Sequence, residues 1–336
     1  MSRTAIVIPN LNGADSIDAC LKSLMEQATK IIVVENGSTD NSLELIKAGH
    51  PKVDLIVNKI NRGFAGGVNQ GIKRAIEEDF AYVALFNNDA VADKGWLDGL
   101  ETYMDQHPEV GIATCKFLSS DGKHIDSTGD LYTDWGLPYP RGRKEKTGER
   151  YDKDTFVFAA SGGASIYRVS MLKEIGLFDE DFFAYYEDVD LSFRAQLAGW
   201  KVAYVPGSVA YHQIGATSGK IKGFTTYQAM KNLPLLFYKN VPAKYFNVVG
   251  SRLCLAVFLF LLRAISRGQG WFAFKGLFKG LFLIPGKRKE RRRIQTGKKV
   301  YDKYIWDMIT HDLPPNAAAL RKLRSLYWKL IGAKNV

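Results

Sequence analysis

The residues best placed for chemistry are carboxylates at the ends of apolar segments and one histidine. The apolar run at 82–86 ends in Asn87, Asn88 and Asp89. A carboxylate beside a buried strand is costly unless a charged or hydrogen-bonding partner meets it. A divalent cation is one such partner, because the two phosphates of a nucleotide diphosphate must be held together and neutralised as a bond to them breaks. In isolation, Asn-Asn-Asp reads as an ordinary polar turn. Residues 182–194 pack Glu187, Asp188 and Asp190 against aromatic residues at a helix start. Adjacent acids raise one another's pKa, which suits a general base, although acids also favour any helix N-terminus. Asp190 and Arg194 have the four-residue spacing of a surface ion pair. His212 follows an apolar strand and precedes Gly215 and Ser218. It becomes a metal ligand only if the fold brings it to Asp89, since imidazole suits Mn2+ or a similar ion alongside carboxylate and phosphate; otherwise it is structural.

A second group of residues suits a phosphate. Asn61, Arg62, Gly63, Phe64, Ala65, Gly66, Gly67, Val68 and Asn69 follow a strand and open a helix, so backbone N–H groups and the helix dipole can face an anion. A flexible turn with a close-packed helix start explains the same residues. The glycine spacing is not G-x-G-x-x-G, which disfavours a dehydrogenase. Glu35 ends another strand and precedes Asn36, Gly37, Ser38, Thr39 and Asp40. Asp40 reads as a helix N-cap, and Glu35 is either structural or a contact to the base or ribose of a nucleotide.

These residues need a sheet to bring them together. Strand patterns at 4–9, 31–34, 54–57 and 82–86 alternate with helical patterns at 17–25, 42–48 and, after a glycine-rich loop at 62–67, to about 78. Such alternation predicts an α/β fold with a mainly parallel sheet flanked by helices, whose ligands bind at the carboxyl ends of the strands. From 117 to 156 the pattern weakens into Gly, Asp, Pro and Arg, which reads as a long irregular insertion over the sheet and a candidate acceptor lid. Order returns at 156–167, with helices at 169–175 and 188–197 and a strand at 202–206.

A chain of 336 residues with 46% hydrophobic residues supports one large α/β domain plus an appendage, and excludes a disordered protein. Cys20, Cys115 and Cys254 match neither zinc spacing nor an even disulfide set, and are expected to be reduced thiols of a cytosolic protein. No export signal is visible at the start. The net charge of +11 concentrates in Lys287, Arg288, Lys289, Arg291, Arg292 and Arg293. Such a run is a solvated surface, a nucleic-acid contact or an anionic-lipid contact, and the aromatic-rich amphipathic stretch before it favours lipid over nucleic acid.

Taken in order, these signals resemble the family-2 glycosyltransferases of the GT-A fold, especially bacterial rhamnosyltransferase-like and galactofuranosyltransferase-like members. The resemblance runs from residue 6 to about 218 and includes Val7, Ile8, Pro9, Asn10, Leu11 and Asn12, the 34–40 turn and the 62–71 loop. It implies that Pro9, Asn10, Glu35 and Arg62 line a nucleotide pocket. It makes Asn87 to Asp89 the counterpart of the family's Asp-x-Asp metal motif, with Asn87 replacing the first acid and Asp89 binding Mn2+ or Mg2+. Asp188 becomes the base that deprotonates the acceptor hydroxyl, and His212, in His-x-x-Gly-x-Ser, a further metal ligand. The wider set expected to contact substrate is Asn12, Asn36, Gly63, Phe64, Gly67, Asn69, Asn87, Asn88, Gly162, Gly163, Glu187 and Arg194. The implied organisation is a catalytic domain at 1–220, with a nucleotide-binding half to about 115 and an acceptor-binding half from 116, followed by a helical basic region at 221–336. The implied reaction is inverting transfer of a sugar from a nucleotide diphosphate donor, dTDP-rhamnose or a UDP-sugar, to a glycan or polyprenyl-linked acceptor in cell-surface polysaccharide synthesis.

The last third is read on physics alone. Residues 253–262 are uninterrupted and apolar but bracketed by Arg252 and Arg263. Ten helical residues reach about 15 Å against a hydrocarbon core of about 30 Å, so a span is not expected. Residues 271–284, with Trp271, Phe272, Phe274, Phe278 and Phe282 and with Lys275 and Lys279 four apart, predict an in-plane interfacial helix followed by a polybasic segment. That places the protein peripherally on the cytoplasmic face of the plasma membrane; the competing partners for these helices are the catalytic domain and a second copy in a homodimer. A processive polysaccharide synthase is disfavoured because several long apolar spans and a Gln-x-x-Arg-Trp segment are missing. A catalytically inactive sugar-nucleotide-binding or scaffold protein is the alternative from another class.

Overall fold

In the computed structural model, residues 3–27, 30–212, 221–315, 317 and 321 are described; Gly215 and Ser218 lie outside them. Three apolar strands, β1 (Thr4–Asn10), β2 (Lys30–Asn36) and β4 (Tyr82–Phe86), are buried almost throughout, as parallel strands covered by helices on both faces must be. With β3 (Asp54–Asn58) they form a parallel block in the order β4-β1-β2-β3. The sheet continues beyond β4 through β11 (Ala164–Arg168), β6 (Val110–Ser119), β12 (Lys201–His212) and β10 (Thr155–Phe156). Here β11 runs antiparallel to β4 and β6, while β12 runs parallel to β6. The sheet is therefore mostly parallel, as the βα alternation predicts.

On one face α1 (Ile17–Leu24), α2 (Ser42–Gly49) and α4 (Trp96–Gln106) bury Ile17, Leu21, Ile46, Trp96 and Leu100. On the other, α3 (Gly63–Glu77), α5 (Val169–Ile175) and α6 (Glu187–Leu197) bury Val68, Ile72, Met171, Leu172 and Leu191. Each fully buried aliphatic or aromatic side chain contributes about 1.5–3 kcal/mol. Cys20 and Cys115 are buried free thiols and Cys254 is an exposed one.

Three expectations are corrected. The glycine-rich segment is not a loop: α3 begins at Gly63, so Gly63, Gly66 and Gly67 form its first turns. The 117–156 segment is not irregular. It carries the end of β6, then β7 (Ile125–Ser127) paired with β6, and a hairpin of β8 (Asp130–Tyr132) and β9 (Pro138–Pro140). The apolar run at 253–262 is the middle of a longer helix, α8 (Phe246–Ser266), which continues through both bracketing arginines. Its 21 residues reach about 32 Å, so the length argument against a span does not hold; Ala243–Ser266 is the one helical stretch, among the described residues, long and apolar enough to cross a membrane.

The C-terminal helices are α7 (Phe224–Asn240), α8, α9 (Gly270–Leu283), α10 (Arg288–Thr296) and α11 (Asp302–Met308). They pack on the catalytic elements rather than standing apart: Phe158, Phe182, Val189 and Phe193 share one apolar cluster with Leu235, Leu236, Val241 and Ile305. Buried ion pairs cross the same boundary. Lys239 of α7 is fully buried and contacts Asp179 at 2.5 Å, Asp190 at 2.9 Å and Glu290 at 2.9 Å. Asp190 and Arg194, expected as a surface pair, are buried at 3.0 Å.

Candidate active site

Strand register gathers the chemistry at one edge of the sheet. Asn10 pairs with Glu35 across β1 and β2, so the carboxyl ends of these strands lie side by side. β4 ends there too, in Asn87, Asn88 and Asp89. Because β11 is antiparallel to β4, with Ala164 opposite Phe86, the residues that enter β11, Gly162 and Gly163, reach the same edge. β5 (Ala90–Ala92) pairs with β12 so that His212 lies opposite Ala90.

On the donor side Asn10 is fully buried, donating from Nδ2 to Glu35 Oε2 at 2.6 Å and Ser42 Oγ at 3.0 Å. Asn88 Nδ2 donates to Asn10 Oδ1 at 2.7 Å. Asn12 ties the first loop to the second: its N–H donates to Ser38 Oγ at 2.9 Å and its Oδ1 accepts from Thr39 N at 2.8 Å. Asn36 accepts from Arg62 N at 3.0 Å and donates to Gly63 O at 2.9 Å, which fixes the start of α3 against β2. Gly63 has φ +72°, and a Cβ there would come within 2.4 Å of Phe183 O, so only glycine permits this approach. Arg62 is exposed and Pro9 half-buried beside Gly67. Asp40 accepts from Ala14 N, Ser42 N and Ser42 Oγ, so its role is structural, but the N-cap of α2 is Asn41, one residue later than expected.

The metal-type pair forms directly. His212 Nε2 lies 3.1 Å from Asp89 Oδ1 and 3.4 Å from Asn87 Nδ2, and Phe117 stacks on the imidazole at 4.6 Å. His212 Nδ1 meets Asp126 Oδ2 at 2.7 Å, and Arg143 pairs with the other oxygen of Asp126 at 2.8 Å. Burial alone would lower the His212 pKa, but the hydrogen bonds to Asp126 and Asp89 outweigh it and raise it to about 9. Among the described residues no group of three or more His, Cys, Asp or Glu side chains forms a ready-made cage. The Asp89–His212 pair still fits a divalent cation whose other positions are filled by phosphate and water: it offers one oxygen and one nitrogen donor, and a carboxylate on Nδ1 orients the ring so that Nε2 faces Asp89.

The expected base, Asp188, is held by the backbone: its Oδ2 accepts from Gly162 N at 2.9 Å and its Oδ1 accepts from Val189 N at 2.8 Å. Gly163 O accepts from Asn87 N at 2.8 Å, so the base and the Asp89–His212 pair are joined through two consecutive glycines. Phe64 faces the first of these: a Cβ on Gly162 would sit 3.2 Å from its ring and 3.4 Å from Asp188 Cβ. Burial raises the Asp188 pKa against the lowering effect of those backbone N–H groups. Burial, then the neighbouring Asp188 charge, pushes Glu187 well above the carboxylate range, and Glu187 Oε2 is buried without a hydrogen-bond partner. The helix start follows a strained turn: Phe183, Tyr185 and Tyr186 all have positive φ, at a cost of about 1–3 kcal/mol each.

Five of the residues expected to contact substrate are used up inside the fold: Asn10, Glu35 and Asn36 are 0%, 1% and 3% exposed with their side-chain polar atoms taken by neighbouring groups, and Asn69 and Arg194 are likewise spent. Asn69 holds the 178–180 segment, donating to Phe178 O at 2.9 Å and Glu180 Oε1 at 3.1 Å and accepting from Phe178 N at 3.1 Å. Arg194 is 3% exposed and spends its guanidinium on Asp190 and the carbonyls of Ile175, Gly176 and Leu177. Conversely, Asp126 and Asp130 enter the site although nothing in their local sequence marks them. Burial, then the Asp188 charge, pushes the Asp130 carboxyl up to about 8.

A model of glycosyl transferase family 2 matches residues 5–176. Among curated proteins, an N-acetylglucosaminyl-diphospho-decaprenol L-rhamnosyltransferase of Mycobacterium tuberculosis is 27% identical over 224 residues, 60% of this chain and 72% of its own length. The dTDP-rhamnosyl transferase RfbF of Shigella flexneri is 25% identical over 246 residues, 70% of this chain and 80% of its own. Among solved structures, the mannosyltransferase PcManGT of Pyrobaculum calidifontis, in complex with GDP-Man and Mn2+, aligns over 92% of this chain and 86% of its own with a TM-score of 0.53 and 16% identity. GalNAc-T7 with UDP, GalNAc and Mn2+ aligns over 89% of this chain and 58% of its own, with a TM-score of 0.58 and 13% identity. At these identities the structural likeness establishes the GT-A fold and nothing finer.

Proposed function

From the premise that the chain belongs to glycosyl transferase family 2, we propose that this glycosyltransferase transfers a sugar, with inversion, from a nucleotide diphosphate donor to a hydroxyl of a glycan or lipid-linked glycan. The observation that carries this reading is the meeting of Asp89, His212 and Asp188 at one edge of the sheet, linked through Gly162 and Gly163.

Glu35, 1% exposed with its two oxygens taken by Asn10 Nδ2 and Ser38 N, shapes the strand-end turn that would border the nucleotide, and the exposed Arg62 stands beside the start of α3, where a phosphate would lie. Asp89 and His212 would hold Mn2+ or Mg2+, with Asp126 keeping the imidazole oriented. A cation bound there would neutralise the departing diphosphate. Asp188, aimed by the N–H groups of Gly162 and Val189, accepts the acceptor hydroxyl proton as the oxygen attacks the anomeric carbon. One displacement inverts that centre.

The two rhamnosyltransferase relatives support a dTDP-rhamnose donor, and the decaprenol-linked substrate in the name of one supports a polyprenyl-linked acceptor. Such an acceptor needs the enzyme at a bilayer. On α9, Trp271, Phe278 and Phe282 are 70%, 75% and 71% exposed, with Lys275 and Lys279 over aromatic rings of the same helix, an arrangement suited to in-plane binding on anionic lipid. In-plane binding is also supported for α8, because Arg252 in its second turn pairs with Asp134 and its Val249, Leu253, Ala256 and Val257 are buried against the protein. The cytoplasmic leaflet, where nucleotide sugars reside, is the proposed location.

The test is a panel of nucleotide sugars with Mn2+ or Mg2+, reading both binding and nucleotide diphosphate release with a polyprenyl-linked glycan acceptor. Metal-dependent, acceptor-dependent release from dTDP-rhamnose is expected. Donor binding without release under every condition would instead make the chain a binding or scaffold protein.

A further inference from the structure

The turn that delivers Asp188 is held from a part of the chain that the family model does not cover. Phe183 has φ +63° and ψ −61°, and Ala184 N donates to Phe182 O at 2.7 Å. This is the γ-turn with positive φ, which is rare because a side chain crowds the backbone. Tyr185 and Tyr186 follow at φ +69° and +70°, so three non-glycine residues of four stand in the left-handed half of the map immediately before the base. Left to itself, such a segment would relax.

Asn232, on α7, is fully buried and meets this turn with its amide. Its Nδ2 donates to the carbonyls of Phe182 at 3.0 Å, Ala184 at 2.8 Å and Tyr185 at 2.7 Å. The adjacent Lys231 donates from Nζ to Asp181 O at 2.8 Å and Phe182 O at 3.1 Å. The carbonyl between, that of Phe183, points the other way and accepts from Ala65 N on α3 at 3.2 Å. The turn is thus gripped by α7 on one side and docked on the phosphate-facing helix start on the other, while its C-terminal end runs into Glu187 and Asp188.

We propose that Asn232, seconded by Lys231, is a positioning residue for sugar transfer: it holds the 182–186 turn in its strained form, and so fixes the Asp188 carboxylate relative to the donor-side start of α3. The inference rests on the reading of Asp188 as the base. It assigns part of the transfer machinery to α7, in the C-terminal helical region.

The experiment uses the full-length enzyme and compares kcat with donor KM. Asn232→Leu keeps the number and branching of the side-chain heavy atoms and removes the donor group. Misplacing a catalytic group by about 1 Å costs about 10²-fold, so kcat is expected to fall about 10²-fold while donor KM changes less than about threefold. Adding Phe183→Gly, which accepts positive φ without a Cβ clash, is expected to restore about tenfold of that loss; a purely structural role predicts no such rescue. Wild-type kcat per folded molecule in Asn232→Leu, or a donor KM that rises as far as kcat falls, overturns the proposal. Should Asn232→Leu fail to fold, Lys231→Gln reports on the same clamp, with kcat expected about tenfold down at constant donor KM by the same positioning argument; unchanged kcat there overturns it. Asp188→Asn separates the two readings: turnover in that variant removes the base assignment and this inference with it, whereas an inactive Asp188→Asn beside a fully active Asn232→Leu removes this inference alone.

Discussion

The two sides of the candidate site, a donor rim at the ends of β1, β2 and β4 and a base rim at the start of α6, hold their polar residues by different means. On the donor rim, Asn10, Glu35 and Asn88 hydrogen-bond across neighbouring strand ends, and Asn10 also reaches Ser42 at the start of α2, so the register of the parallel strands fixes the first three. On the base rim, Asp188 follows three left-handed residues and depends on Gly162, on the buried pairs around Asp190 and Lys239, and on the amide of Asn232. The donor rim is self-contained, whereas the base rim borrows its geometry from helices that follow it by tens of residues. Donor binding and transfer should therefore come apart under mutation.

The largest effect belongs to the base. Asp188→Asn should lower kcat by about 10²–10⁴-fold, the usual contribution of a positioned general base, with donor affinity measured by calorimetry unchanged; near-normal turnover would break the distinction between the rims. In the wild type, burial raises the Asp188 pKa, and the base works only when deprotonated. Activity should accordingly be lost as pH falls through a limb lying above the ordinary aspartate value of about 3.9. Next comes Asp126→Asn, which leaves Asp89 and His212 in place but removes the carboxylate on Nδ1. Loss of such an orienting partner weakens metal affinity about 10–100-fold, so the Mn2+ concentration for half-maximal activity should rise by that factor while kcat at saturating metal recovers. A smaller change is expected from Glu35→Gln on the donor rim: donor KM up about tenfold with kcat within about twofold, the pattern of lost uniform binding. A kcat effect there would mean that the rims are not separable. The smallest catalytic effect should follow Trp271→Ser with Phe278→Ser on α9, which should weaken binding to anionic vesicles yet leave turnover of a soluble acceptor unchanged.

The same contrast explains what could be read from sequence. The ends of β1, β2 and β4 are legible because apolar runs stop at polar residues, and parallel strands bring those stops to one edge. The pairing of His212 with Asp89 was legible only through family resemblance, since 122 intervening residues separate them. Asp126 and Asp130 were not legible, because the short strands β7 and β8 exist through pairing with β6 and β9 rather than through any local apolar period. Asn69 and Arg194 look like surface polar residues, and only tertiary packing shows that both are buried and spent on backbone carbonyls. The length of α8 was misread because Arg252 seems to end an apolar run; its charge is answered by Asp134, more than a hundred residues away in sequence. Asn232 gave no signal at all, as its role exists only in relation to a strained turn.

The configuration of the transferred sugar tests the single-displacement account most directly. With whichever donor supports turnover, the anomeric coupling in the NMR spectrum of the purified product should report a configuration opposite to that of the donor. A product that retains the donor configuration would contradict transfer by one Asp188-activated hydroxyl.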